Sequence, residues 1–174
     1  MQSVPEEQVQ YEELTRAHYA HVIRLCRLLL GDLHEAEEVV QEVLLKLWRE
    51  CHVPHQSMAW GPWLTRVAIN ACRDRRRSGW WKWWRDQHTP LQETHLPGRV
   101  VTPEEELLHR EQRESIAQAF RALSPRQQEV LVLCHLEGRS RTEAAQLLGL
   151  TSGSVKRHLF RAVQHLRSAL GDRL

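Results

Sequence analysis

With 174 residues, 41% of them hydrophobic, the chain can bury one small core or two, and no large one. Its formal charge of +2 excludes little as a total; the clustering of the basic residues is what informs. No run approaches ~20 uncharged apolar residues, and the opening MQSVPEEQVQYEE has no basic-then-apolar leader pattern, so a soluble, cytoplasmic chain is expected. β-branched residues never alternate over a long run, which predicts an all-α fold. Cys26, Cys51, Cys72 and Cys134 lack paired spacing and read as buried thiols. No phosphate-binding glycine loop and no nucleophile motif occurs, so neither catalysis nor a cofactor is expected.

Residues up to about Val9 read as a loose tail. A helix is predicted from Gln10 to Leu30, with Leu14, Val22, Leu25 and Leu29 near helical spacing, and Gly31 ends it. Asp32 then offers a cap and Glu35 a box partner for a helix from Leu33 to Glu50. Its stripe is Ala36, Val39, Val40, Val43, Leu44 and Leu47. On the other side project Glu35, Glu38 and Glu42, with Leu45 exposed beside them and Gln41 and Trp48 at the margin. An acidic face with an apolar anchor suits a partner-binding helix, and a merely solvated face is the competing reading.

After a loop around Pro54, a further helix is predicted from Met58 or Pro62 to Arg77. Trp60, Leu64, Val67, Ala68 and Ala71 point one way; Trp63, Arg66, Asn70, Arg73, Asp74 and Arg77 fall on another face. Between Arg66 and Arg85 stand seven basic residues and one acid, Asp74. Aromatic, amide and cationic groups on one face suit a single nucleic-acid strand, whose bases stack on rings and whose phosphates meet cations. For Trp63, packing between helices competes with that role. The four tryptophans between Trp80 and Trp84 are too many for one helix to bury, so some should touch a partner or a neighbouring helix. His88 to Val101, with Pro90, Pro97 and Gly98, reads as a linker, and Thr102, Pro103 and Glu105 start the next helix.

The most punctuated stretch is Leu123 to Leu170. Ser124 caps a helix with Pro125 at its first position and Gln127 as box partner; it carries Val130, Leu131, Leu133, Cys134 and Leu136 and stops at Gly138. Ser140 and Glu143 open a second box, and Gly149 closes that short helix. After the turn Leu150–Gly153 a longer helix runs to Leu170, which completes a helix-turn-helix pattern. Val155, Leu159, Ala162, Val163, Leu166 and Leu170 form its apolar stripe, with Lys156, Arg157, Phe160, Arg161 and Gln164 opposite. Outward cations suit phosphates and guanine edges, and Phe160 among them suits a thymine methyl; the competing reading is a solvated basic face.

Three stretches in order, EAEEVVQEVLLKLWR, WLTRVAINACRDRRR and LSPRQQEVLVLCHLEGRSRTEAAQLLGLTSGSVKRHLFRAVQHLR, resemble regions 2.2, 2.3–2.4 and 4 of the group IV, extracytoplasmic function sigma factors of bacterial RNA polymerase. The resemblance implies two small helical domains, a σ2-like domain over 10–87 and a σ4-like domain over 103–172, with a flexible linker over 88–102. It implies no catalysis, no metal and no small-molecule substrate. Its partners would be core polymerase, through the β′ and β subunits, promoter DNA and an anti-sigma factor. Glu35, Glu38, Gln41, Glu42, Leu45 and Trp48 match the surface that grips β′. Trp63, Arg66, Asn70, Arg73 and Arg77 match the surface that opens and holds the −10 element, and Lys156, Arg157, Phe160 and Arg161 match the helix that reads the −35 element. The loop VPHQSMAWGP departs from the family pattern, as do Arg157, where a small residue is usual, and His158, where Arg is usual. Two other readings stand beside it. A LuxR-type helix-turn-helix regulator fits the last stretch but requires a sensing domain in the first half, and a metal or redox sensor would draw on Cys51, His52 and His55.

Overall fold

The computed structural model of the chain describes residues 6–51, 58–78 and 103–171. Among them stand seven α-helices: α1 (Glu6–Leu30), α2 (Leu33–Cys51), α3 (Trp60–Arg77), α4 (Pro103–Arg121), α5 (Pro125–Leu131), α6 (Arg141–Leu148) and α7 (Ser152–Leu170). A π-helical segment, Val132–Leu136, follows α5, and the described residues contain no strand, so the all-α expectation holds. The chain divides between Pro90 and Leu91 into two compact units. His52, His55, the tryptophans from Trp80 to Trp84 and the expected linker lie outside the described residues.

In the first unit α1, α2 and α3 pack on one another. Val22, Leu25, Cys26 and Leu29 of α1, Val39, Val40, Val43 and Leu47 of α2, and Leu64, Ala68, Ile69 and Cys72 of α3 are all buried. Each large aliphatic side chain so covered contributes about 1.5–3 kcal/mol. Helix α1 begins at Glu6, ahead of the expected Gln10; Gln8 and Glu12 bond across one turn there, Nε2 to Oε1 at 3.4 Å. Gly31 takes a positive φ of 74° and stops it. The Asp32 carboxylate accepts the Glu35 backbone N–H at 2.8 Å, which fixes the start of α2 where the sequence placed it. A polar bond between His21 and Thr65 also joins α1 and α3. Thr65 Oγ1 donates to the Gly61 carbonyl at 2.9 Å and lies 3.1 Å from His21 Nε2, so the ring nitrogen is the donor in that pair.

In the second unit both capping boxes form. Ser124 and Gln127 bond reciprocally, as do Ser140 and Glu143, and Gly149 closes α6 at φ 65°. Gln128, buried, donates Nε2–H to the Phe120 carbonyl at 2.9 Å and so satisfies the end of α4. Leu123, Leu131 and Ala162 form a core that Phe120, Leu159, Val163 and Leu166 cover. One element differs from expectation. The helix opened by Ser124 passes into π geometry at Val132, where the Glu137 N–H reaches back to the Val132 carbonyl at 2.9 Å. The wider turn changes the direction of the side chains after it: Leu133 is buried, Cys134 half-buried and Leu136 exposed, so Leu136 leaves the apolar face expected of it.

Candidate functional site

The expected surfaces fall on α2, α3 and α7. On α2, Leu45 is 58% exposed and Trp48 40% exposed, and Trp48 is held edge-on by Tyr11 of α1 with ring centroids 5.0 Å apart. Gln41 and Glu42 are exposed and Glu38 half-exposed. Two large apolar side chains left in water beside carboxylates make an anchored acidic face rather than a uniformly solvated one.

Glu35 does not belong to that open face. Its side chain is 2% exposed and lies 3.3 Å from Arg75 Nη1. The expectation that it projects outward is corrected, because α3 crosses the flank of α2 at this point and covers it. Burial pushes its carboxyl above the ordinary value, with Arg75 pulling partly the other way. Arg75 also bonds Glu38 Oε2 at 2.8 Å through Nη1 and Glu42 Oε1 at 3.1 Å through Nη2. This three-carboxylate clasp was missed, although a signal for it exists in the sequence. Arg75 continues the buried line Ala68–Cys72 at three- and four-residue spacing, and a cation in register with a core stripe requires an anion.

Elsewhere on α3, Arg73 and Arg76 are half-buried. Arg66, Asn70 and Arg77 are exposed, and Arg73 Nη1 donates to Asn70 Oδ1 at 3.2 Å. Arg77 stands 4.0 Å from Asp74, both well exposed, a pair weak enough to yield to a phosphate. Trp63 is half-buried and meets Trp60 edge to face at 5.7 Å, so it packs on one side and stays open on the other. Trp63, Arg66, Asn70, Arg73 and Arg77 thus occupy one helix surface.

Helix α7 begins at Ser152, within the expected turn, because Thr151 Oγ1 accepts the Ser154 N–H at 3.1 Å and caps it. Arg157 Nη2 donates to Ser154 Oγ at 3.2 Å, which orders the first two turns. Lys156, Arg157 and Arg161 are exposed, and Phe160 is 64% exposed among them, while Val155 and Ala162 are fully buried on the far side. The first turns of the second helix in a helix-turn-helix are the part that meets base edges in the major groove. Among the described residues no cluster of His, Cys, Asp or Glu is arranged to hold a metal ion, and Cys26, Cys51, Cys72 and Cys134 are thiols rather than disulfide partners.

Two helical units, one ending in a helix-turn-helix with a basic outer face, have the features of a nucleic-acid-binding protein. Residues 14–82 match the family model of Sigma-70 region 2 and residues 113–166 that of Sigma-70, region 4. The chain is 29% identical over 167 residues to the RNA polymerase sigma-E factor of Streptomyces avermitilis, covering 96% of this chain and 88% of the relative. It is 26% identical over 156 residues to the ECF RNA polymerase sigma factor SigW of Bacillus subtilis, covering 87% and 83%. Among solved structures it is similar to the sigma factor RpoE of Bartonella quintana, solved in complex with the anti-sigma factor NepR, with a TM-score of 0.68, 19% identity, and coverage of 94% of this chain and 98% of that one. The chain belongs to the sigma-70 family, as an extracytoplasmic function factor. It is an alternative sigma factor that directs promoter-specific transcription initiation, and the LuxR-type alternative is not favoured, since region 2 fills the half where a sensing domain would stand. Sigma factors are initiation factors rather than enzymes. None of the described helices is long and apolar enough to cross a membrane.

Proposed function

We propose a division of labour between the surfaces. The α2 face of Glu38, Gln41, Glu42, Leu45 and Trp48 docks on the β′ subunit of core polymerase in the cytoplasm. Trp63, Arg66, Asn70, Arg73 and Arg77 hold the −10 strand once it leaves the duplex, where stacking and cationic contacts recover the cost of unstacking. Lys156, Arg157, Phe160 and Arg161 read the −35 duplex. The domains that carry these tasks are 10–87 and 103–172, with 88–102 between them and the β subunit as a further contact. An anti-sigma factor that covers these surfaces is the regulatory partner, a reading supported by the similarity to a sigma factor solved with one.

The observation that carries the proposal is the placement, within one unit, of an acidic face with exposed Leu45 and Trp48 on α2 and an aromatic–cationic face on α3. The test is equilibrium binding of the purified chain to core polymerase, then binding of a single-stranded −10 probe to the chain and to the complex. Stable core binding with a probe affinity that Trp63→Ala and Arg66→Ala lower supports it. Equal affinity of these variants and the parent for the probe overturns the α3 assignment.

A further inference from the structure

We infer that Arg75 is a positioning residue for polymerase docking: seated on buried Glu35, its guanidinium holds the Glu38 and Glu42 carboxylates in the arrangement that core polymerase engages. The inference rests on the proposed assignment of the α2 face to polymerase.

The geometry is specific. Nη1 lies 3.3 Å from Glu35 Oε2 and 2.8 Å from Glu38 Oε2, while Nη2 lies 3.1 Å from Glu42 Oε1. Glu38 Oε1 is 3.4 Å from Nε2 of the exposed His34, a weaker contact than the one to Arg75. Without such ties, two long side chains four residues apart on an exposed helix face sample many rotamers and repel each other. A guanidinium is suited to the task because its planar fork reaches both carboxylates at once, which a lysine ammonium does not do with the same geometry. Its charge does not cancel the face, since Glu38 and Glu42 share one cation and a negative surplus remains for a basic partner.

Two simpler roles fit less well. As a phosphate ligand beside Arg73 and Arg77, Arg75 would need to face outward, yet its side chain is 21% exposed and turned to α2. As mere support for the fold it would be a poor choice, because withdrawing charges from water costs more than apolar packing in the same place. Burial raises the Glu35 carboxyl and Arg75 pulls it partly back, so the guanidinium sits between a buried acid and the two carboxylates of the open face.

The experiment measures equilibrium affinity of the full chain for core polymerase for the parent, R75K, R75Q, E38Q/E42Q and R75Q/E38Q/E42Q, with thermal melts in parallel. R75Q is expected to weaken core binding roughly tenfold, and R75K, which keeps a cation on Glu35 and so preserves the fold, by an intermediate factor. Once Glu38 and Glu42 are glutamines, R75Q should add no further loss. An equal R75Q loss in both backgrounds overturns the inference in favour of fold support alone. Unchanged core affinity of both R75K and R75Q, with weakened −10 probe binding, overturns it in favour of a DNA contact. If E38Q/E42Q itself binds core like the parent, the docking face is wrong, and that failure is separate from any result on Arg75.

Discussion

Phe160 offers a clean separation of fold from recognition. Truncation of a fully buried phenylalanine costs about 3–5 kcal/mol, but only about a third of Phe160 is covered, and alanine has the higher helix propensity. Phe160→Ala should therefore cost the second unit about 1 kcal/mol or less. Val155, five residues earlier on the opposite face, is fully buried; Val155→Ala removes two carbons and leaves a cavity, for about 2 kcal/mol, or a melting shift of roughly 10 °C in a unit this small. All seven tryptophans precede Arg85, so fluorescence reports only on the first unit. Amide exchange within α7 is the suitable readout of stability, paired with initiation from a promoter whose −35 element contains thymines. Phe160→Ala should leave exchange nearly unchanged and lower −35-dependent initiation about fivefold, the factor for about 1 kcal/mol of lost contact. Exchange as fast as in Val155→Ala, or initiation equal to the parent, would refute the assignment of Phe160 to DNA.

Arg157→Ala should relax −35 sequence preference by about 1–3 kcal/mol at one base pair, measured by binding across a −35 library; equal loss on every sequence would instead make it a phosphate contact. Leu45→Glu should weaken core binding with little change in melting temperature, since its side chain lies at the surface, whereas Glu38→Lys should weaken core binding and also lower the melting temperature, since it sets a second cation beside Arg75; co-purification with core and thermal melts read this out. Ser140→Ala removes a helix cap and should destabilise α6 by about 1 kcal/mol, visible as faster amide exchange there. The same box sets a pH response. The Ser140 bonds hold Glu143 below its ordinary value of 4.5, so its contribution is present above that value and lost as pH falls through the lowered one. Exchange in α6 should accelerate in acid for the parent and respond less to pH in Ser140→Ala.

The helix ends marked by a capping side chain or a left-handed glycine were legible because their chemistry is local. Asp32, Ser124, Ser140 and Gly149 act on atoms within a few residues, so reading the sequence there is close to reading the structure. The two faces of α7 were legible for a related reason, since a single period of burial runs from Val155 to Ala162. What escaped depends on contacts between helices. Glu35 stands only about 40° round the helix from Val39, and whether that flank is water or protein depends on where α3 crosses. The π segment escaped because no residue type signals one; its trace is only the exposure of Leu136 after buried Leu133. Within the basic run Arg73–Arg77, helical spacing gave Arg73 and Arg77 to the nucleic-acid face and left Arg75 without a role, whereas the geometry turns Arg75 to three carboxylates and leaves Arg77 exposed.

The most direct test of the central claim is run-off transcription with purified core polymerase on a promoter library, with and without this chain. The account expects transcripts only when the chain is added, starting from templates that share a −35 and a −10 element at fixed spacing, and lost when Phe160 and Trp63 are both alanine. Transcription that is independent of the chain, or start sites without shared elements, would contradict it.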